Sequence, residues 1–97
     1  MLQTFSRRKM PKAEIRLTNR WGLHARLAFH FTQISGAFSC KIRLGHAGLW
    51  ADGKEIMDIL MLGAGPGSLL ALETEGPDGE AAIEALSHFL LVDSKVL

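Results

Sequence analysis

The alternation of apolar and polar residues along the chain predicts four short strands. In the first of them, Ile15 and Leu17 point to one face and the polar residues between them point to the other. A segment from Phe38 to Leu44 places its apolar residues on one face in the same way. Residues 45–48 are predicted to form a turn because they contain two glycines. The predicted strands are residues 13–18, 38–44, 49–51 and 68–75.

Apolar residues spaced three or four apart predict three helices. The first begins near His24, runs for about three turns and ends at Gly36. The second covers residues 54–62 and is followed by a glycine cap. The third opens at residues 77–80, with Asp78 as its N-cap. The expected buried residues are Leu23, Leu27, Phe31 and Ile34 in the first helix, and Ala82, Ala85, Leu86, Phe89 and Leu90 in the third.

These elements follow one another in the order strand, helix, strand, strand, helix, strand, helix. A chain of this order forms one sheet with its helices packed on one face, which is an α+β fold. Its 97 residues suffice for one domain. We expect that domain to cover residues 13–91, with a basic N-terminal tail at residues 1–12 and a C-terminal tail at residues 92–97.

The composition excludes several classes of protein. With 47% hydrophobic and 22% charged residues, the chain resembles a globular domain and not a disordered segment. A net charge of +1 is too balanced for a nucleic-acid-binding protein, which concentrates basic residues on one face. No apolar run approaches the length that spans a bilayer, so we expect no membrane insertion. The one cysteine, Cys40, is expected in the core of a protein from a reducing compartment.

The candidate chemistry is concentrated in Gly22-Leu23-His24-Ala25-Arg26, which joins the first strand to the first helix. The first turn of a helix exposes backbone N–H groups that have no internal partner and carry partial positive charge. An anion attached to His24 would lie in that field, as anions do at helix N-termini. Arg26 adds a charged donor, and Gly22 allows a positive φ or a close backbone approach.

The size of these interactions indicates what the segment is suited to hold. A helix end contributes about 0.3–1 kcal/mol per unit charge at a surface. Charged hydrogen bonds add roughly 1.5–3 kcal/mol each, and a phosphoryl group has nearly twice the charge of a carboxylate. The segment is therefore better suited to stabilise a phosphorylated histidine than to tune a base.

Residues 22–28, GLHARLA, resemble GLHARPA, the active-site signature of the HPr family, the histidine-containing phosphocarriers of the bacterial phosphotransferase system. Residues 52–57, DGKEIM, with LGAG at 62–65, resemble the family's second block, in which DGKS leads a short helix. Residues 76–82 resemble the start of its last helix. The resemblance, which extends over residues 13–91, implies an open-faced β-sandwich: a four-stranded antiparallel sheet with three helices on one face.

The resemblance also implies a function. His24 would carry a phosphoryl group on Nδ1, and Arg26 would stabilise it. Enzyme I would donate the group and a IIA-type protein would accept it, in a cytoplasmic system that serves sugar transport or the regulation of target proteins. The carrier itself would need neither a metal nor a cofactor. We expect a monomer, because the predicted elements leave no long apolar stripe uncovered.

Two positions depart from the pattern of the family. Leu27 replaces a proline that is favoured in a first helical turn, and it places one more apolar group near the site. Glu55 replaces a serine that many members phosphorylate for regulation, and a serine kinase cannot phosphorylate a glutamate. A simpler interpretation is that Glu55 is a favourable acid in the first turn of the second helix. Both departures favour a regulatory branch of the family and leave sugar uptake open.

A contact surface for partner proteins is expected around His24. Exposed aromatic and methionine side chains are typical interface anchors. Trp21 flanks the histidine, and the family presents the second helix beside it. Trp50, in contrast, is expected to pack against the sheet. The expected contact residues are Trp21, Gly22, Ala25, Leu27, Glu55, Ile56, Met57 and Leu60.

Two other classes of protein stay open. A ferredoxin-like α+β binding module would leave His24 unmodified, and analogy of fold alone allows it. A hydrolytic enzyme would use His24 as a base, but no nucleophile or metal set accompanies it. The other histidines, His30, His46 and His88, are not spaced to share a metal with His24.

Overall fold

The computed structural model describes residues 10–97, which form four strands, three α-helices and a short 3-10 helix. The predicted basic tail lies mostly outside the described residues. The strands are β1 (Lys12–Arg16), β2 (Lys41–His46), β3 (Leu49–Asp52) and β4 (Leu69–Glu75). The helices are α1 (Ala25–Ser35), α2 (Ile56–Leu60) and α3 (Gly79–Leu91), and the 3-10 helix covers Asp93–Val96.

The four described strands form one antiparallel sheet in the order β1-β4-β2-β3. β4 pairs with β1 on one side, where Ile15 lies opposite Leu70. It pairs with β2 on the other side, where Leu44 lies opposite Leu72. The sheet edges are therefore β1 and β3. This arrangement confirms the predicted α+β open-faced sandwich with βαββαβα order.

The core lies between one face of the sheet and the helices. Burial alternates along β4, where Leu70, Leu72 and Thr74 point inward. Phe31 of α1 and Phe89 of α3 meet edge to face, with ring centroids 6.4 Å apart. Burying each such side chain contributes roughly 1.5–3 kcal/mol. The buried residues of the two long helices are Leu27, Ala28, Phe31, Ser35, Gly79, Ala82, Leu86, Phe89 and Leu90.

The element boundaries differ most from the sequence prediction in β2, which begins at Lys41 and not at Phe38, and in α2. β2 continues through Gly45 and His46, because Gly45 pairs with residues on both neighbouring strands. The turn is confined to Ala47 and Gly48, which have φ values of +50° and +85°. α2 covers only the five residues Ile56–Leu60, so it is shorter at both ends than the predicted helix at residues 54–62.

Trp50 lies on the open face of the sheet, opposite the helices. A Cβ at Gly45 would come within 2.8 Å of the indole ring, so the ring packs directly on the strand backbone. The guanidinium of Arg43 lies 4.3 Å from the centroid of the same ring. Its Nη2 also donates to Oε1 of Glu73 at 2.6 Å. The prediction that Trp50 packs against the sheet is confirmed, although 45% of the residue is exposed.

The carboxylate of Asp78 anchors the approach to β2. Asp78 occupies the N-cap position of α3 as predicted, but its side chain makes no capping hydrogen bond. Oδ2 accepts hydrogen bonds from the N–H of Ser39 at 2.8 Å and from its hydroxyl at 3.3 Å. Oδ1 accepts a hydrogen bond from the N–H of Cys40 at 2.9 Å. The prediction of Asp78 as the N-cap residue is confirmed, while its carboxylate binds Ser39 and Cys40 and not the first turn of α3.

The segment at residues 92–97 packs against the domain. Its 3-10 helix buries Ser94, whose hydroxyl donates to the carbonyl of Leu90 at 2.7 Å. Leu97 is partly buried against the core. These contacts extend the packing of α3 past its last helical residue.

We predict that Asp78→Asn lowers the stability of the protein near neutral pH. The variant is also expected to lose less stability than the wild type as the pH falls into the acid range. The hydrogen bond from the backbone N–H of Ser39 is the main cause that holds the pKa of Asp78 below its usual 3.8. Folding therefore favours the carboxylate, whose contribution is present above pH 3.8 and is lost as the pH falls through the lower folded value. Urea unfolding across this range measures the effect.

The matched control for this prediction is Glu80→Gln. Glu80 is exposed in the first turn of the same helix. If both variants lost the same stability at every pH, the role assigned to the Asp78 carboxylate would be contradicted.

Candidate functional site

The turn between β1 and α1 is closed by the buried side chain of Asn19. Asn19 is 1% exposed, and its Nδ2 donates to the carbonyl of Gly22 at 2.8 Å. Its Oδ1 is buried without a hydrogen-bond partner among the described residues. The sequence does not reveal this role, because a single asparagine carries no signal of burial. The structure shows that Asn19 fixes the turn that leads to His24.

Gly22 brings this turn against the loop that follows α2. Its φ is +70°, and a Cβ here would lie 2.6 Å from the carbonyl oxygen of Ala64 and 2.7 Å from the Cα of Gly65. The N–H of Leu23 donates to the same Ala64 carbonyl at 2.9 Å. Gly22 therefore has both the positive φ and the close approach expected, but the approaching backbone belongs to this chain.

His24 is the N-cap of α1, one position before the first helical residue. Its backbone is extended, with φ −115° and ψ 174°, and its side chain makes no capping hydrogen bond. Its carbonyl accepts the first helical hydrogen bond, from the N–H of Ala28 at 2.9 Å. The N–H groups of residues 25–27 have no helical acceptor, and the first turn contains no acidic residue. The imidazole therefore adjoins backbone donors and the positive end of the helix dipole.

The two ring nitrogens of His24 lie in different environments. Nε2 is buried and has no hydrogen-bond partner among the described residues, whereas the residue as a whole is half-buried. A reactant that approaches from solvent would therefore meet Nδ1 and not Nε2. If Nδ1 acted as a nucleophile, it would need its lone pair, and the proton of the neutral ring would be on Nε2.

Arg26 lies in the first turn of α1 and is exposed. It makes no hydrogen bond or ion pair with another residue in the range 10–97, in contrast to Arg16, whose Nη1 donates to the carbonyl of Gly67 at 2.7 Å. The fork of N–H donors on Arg26 is therefore free to bind an anion held on the neighbouring histidine. Ala25 is exposed between the two residues and offers a backbone N–H.

Part of the expected contact surface is exposed. Trp21 and Met57 are 64% and 68% exposed, while Ile56 and Leu60 are half-buried. Met61, which the sequence analysis did not single out, is 77% exposed and lies one turn beyond Met57. The spacing of the two methionines, four residues apart on a helix, could have revealed that they share one face.

Three expectations about the site need correction. Leu27 is fully buried, so it adds to the core and not to the surface beside the site. Gly22 is buried against the chain's own backbone, so it is not available to a partner. Glu55 is exposed at the N-cap of α2, and the acid in the first turn of that helix is Asp58.

The described residues contain no group of three or more His, Cys, Asp or Glu placed to hold a metal ion. Nδ1 of His46 lies 3.1 Å from the carbonyl oxygen of Leu62. None of the helices in residues 10–97 is long and apolar enough to cross a membrane.

Comparison with known proteins decides the family. The family profile described as "PTS HPr component phosphorylation site" matches residues 11–91. Phosphocarrier protein HPr of Pseudomonas aeruginosa is 44% identical over 82 residues, which are 84% of this chain and 91% of that protein. HPr of Cupriavidus necator is 40% identical over 77 residues, which are 79% of this chain and 86% of that protein. The chain belongs to the HPr family of phosphocarrier proteins.

Solved structures of the HPr family share the fold. HPr of Bacillus anthracis superposes with a TM-score of 0.82 at 34% identity, covering 86% of this chain and 99% of that one. HPr of Thermoanaerobacter tengcongensis superposes with a TM-score of 0.81 at 36% identity, covering 88% and 93% of the two chains. The chain is thus a phosphocarrier of the phosphotransferase system, as the resemblance implied.

We predict that Gly22→Ala destabilises the protein more than Gly48→Ala. Both glycines have positive φ, which costs a residue with a Cβ about 1–2 kcal/mol. A Cβ at Gly48 meets nothing within 4 Å, whereas one at Gly22 meets backbone at 2.6 Å. Urea unfolding of the two variants isolates the cost of that contact. Equal losses of stability in the two variants would show that the backbone at the Gly22–Ala64 contact can move apart without cost.

Proposed function

We propose that Nδ1 of His24 accepts a phosphoryl group from phosphorylated enzyme I and passes it to a IIA-type protein. In the first transfer, the bond from phosphorus to the donor histidine breaks while the bond to Nδ1 of His24 forms. The electron pair of the broken bond stays on the donor imidazole. The second transfer repeats this exchange toward the acceptor, so the carrier returns to its starting state.

The observation that carries this proposal is the environment of His24. One ring nitrogen is buried, and the imidazole adjoins the uncapped N-terminus of α1 and the free guanidinium of Arg26. Phosphoryl transfer depends mainly on positioning and on stabilisation of charge, and these groups supply both. A surface site of this kind provides a few kcal/mol, which suits a carrier that must also release the group.

Cys40 supports a reducing compartment for this reaction. It is a free thiol, buried in the core, and burial raises its pKa. A buried neutral thiol is unreactive, and free thiols of this kind persist in the cytoplasm. We therefore place the proposed transfer in the cytoplasm.

Incubation with phosphoenolpyruvate and enzyme I is expected to add one acid-labile phosphoryl group to the protein. His24→Ala is expected to abolish the addition, which intact-protein mass spectrometry detects. His30→Ala and His88→Ala are matched controls, because both remove an exposed histidine elsewhere in the described chain. Nitrogen-15 NMR of the labelled imidazole is expected to place phosphorus on Nδ1.

The same experiment distinguishes the alternative class. If active enzyme I left the wild-type protein unmodified, the chain would be a binding module of the HPr fold and not a carrier. Modification of Nε2 would overturn the assignment of the attacking atom without overturning the carrier role.

We predict that Arg26→Ala slows phosphoryl transfer from enzyme I by about one to two orders of magnitude. The estimate follows from the loss of one charged hydrogen bond to the phosphoryl group, worth roughly 1.5–3 kcal/mol. Arg20→Ala is the control, because Arg20 is exposed nearby but faces the ring of Trp21 at 5.7 Å. Rapid-quench kinetics measures both rates, and equal slowing in both variants would contradict a direct role for Arg26.

A further inference from the structure

Two buried side-chain atoms without a hydrogen-bond partner lie in the segment between β1 and α1. They are Oδ1 of Asn19 and Nε2 of His24, and within residues 10–97 the third such atom is Oγ of Ser87 on α3. A buried polar atom that makes no hydrogen bond costs roughly 1–3 kcal/mol of stability. Such exceptions in a folded protein are expected mainly at functional sites. Stability alone therefore does not explain an asparagine at position 19.

The orientation of the Asn19 amide follows from its one hydrogen bond. The carbonyl oxygen of Gly22 can only accept, so the group that faces it at 2.8 Å is the amide NH2 of Asn19. Oδ1 is the other end of the same amide and makes no hydrogen bond. The contribution of this side chain to the turn is therefore a single donor, directed at a single backbone carbonyl.

That donor holds one end of the peptide group between Gly22 and Leu23. At the other end of the same peptide group, the N–H of Leu23 donates to the carbonyl of Ala64 at 2.9 Å. The side chain of Leu23 is itself buried in the core. The peptide plane that leads into His24 is thus held by the turn on one side and by the loop after α2 on the other.

The rate of phosphoryl transfer depends on where the nucleophile is placed. A misplacement of about 1 Å, caused by a change away from the reacting atoms, can slow a reaction about 100-fold. Asn19 is 1% exposed, so neither a partner protein nor a phosphoryl group can reach it. Any effect of Asn19 on transfer therefore passes through the peptide group that it holds.

We propose that Asn19 is a positioning residue for phosphoryl transfer at His24, an inference that rests on the proposed function. Its amide holds the carbonyl of Gly22 and so keeps the imidazole in the orientation that buries Nε2 and presents Nδ1. An apolar side chain at this position would remove the unpaired Oδ1, but it would also release the peptide group. The asparagine is kept for the geometry of the site, at some cost in stability.

Asn19→Leu tests this role, because leucine has the same branching at Cγ and no donor. Rapid-quench kinetics with phosphorylated enzyme I, in which the full-length protein is the acceptor, yields kcat and KM. We expect kcat to fall by about 10- to 100-fold, because the nucleophile is less well placed. KM is expected to change little, because Asn19 is buried. Asn19→Ala, which is too small to clash with its surroundings, is expected to show the same fall in kcat.

Thr74→Val is the matched control. Thr74 is also buried, and its hydroxyl donates to the carbonyl of Gly79 at 2.9 Å, at the start of α3. Thr74→Val removes a buried side-chain donor from a backbone carbonyl, as Asn19→Leu does, and is expected to leave kcat unchanged. A smaller folded fraction alone would raise the apparent KM without changing kcat, because the folded molecules would still react at the normal rate.

Hydrogen exchange of the Leu23 amide gives a second measurement at the peptide group itself. Its exchange is expected to be faster in both Asn19 variants than in the wild type, because the Gly22 carbonyl is no longer held. In Thr74→Val, the exchange of this amide is expected to match that of the wild type. The comparison separates a local release of the turn from a general loss of stability.

An unchanged kcat in the two Asn19 variants would overturn the proposal, even if KM rose because the neighbouring Trp21 was presented differently. An equal fall of kcat in Thr74→Val would overturn it as well. In both cases the wild-type protein would still accept the phosphoryl group, so the carrier function would stand. Only a wild-type protein that enzyme I left unmodified would overturn the proposed function, and the role of Asn19 with it.

Discussion

The contact between Gly22 and the loop after α2 is the constraint on which the site depends. Backbone meets backbone here, with no room for a side chain, and the adjacent hydrogen bond from Leu23 to Ala64 fixes the approach. Asn19 closes the turn from the other side. Together these contacts determine where α1 begins, and therefore where its unpaired N–H groups point. His24 is placed at that helix end by the surrounding backbone and makes no capping bond of its own.

The same packing fixes the orientation of the His24 imidazole. Burial of Nε2 and exposure of part of the ring make the two nitrogens unequal before any partner binds. In the proposed transfer, the charge of the phosphoryl group would be met by groups that are already in place, so little reorganisation would be needed. Because the helix end and Arg26 are at the surface, water screens them and the stabilisation stays moderate. A site that held the group more strongly would be a poor carrier.

The two faces of the sheet have different roles. One face packs against the helices and provides the stability that holds the site. On the other face, the indole of Trp50 packs over Gly45, which has no side chain to block it. The guanidinium of Arg43 covers the ring. This packing partly shields an indole that would otherwise project into water. Solved structures of the HPr family share this fold.

The sequence by itself determined the order of the elements, the α+β class, most core positions and the segment that carries the chemistry. These features are local, because alternation, helical spacing and the GLHARLA segment can be recognised over a few residues. The tertiary structure decided the rest. The use of Asp78 to anchor β2, the continuation of β2 through Gly45 and the burial of Asn19 each depend on residues distant in the chain. Such partners leave no local pattern, because the donors and cavities available to a side chain are set only once the elements have packed.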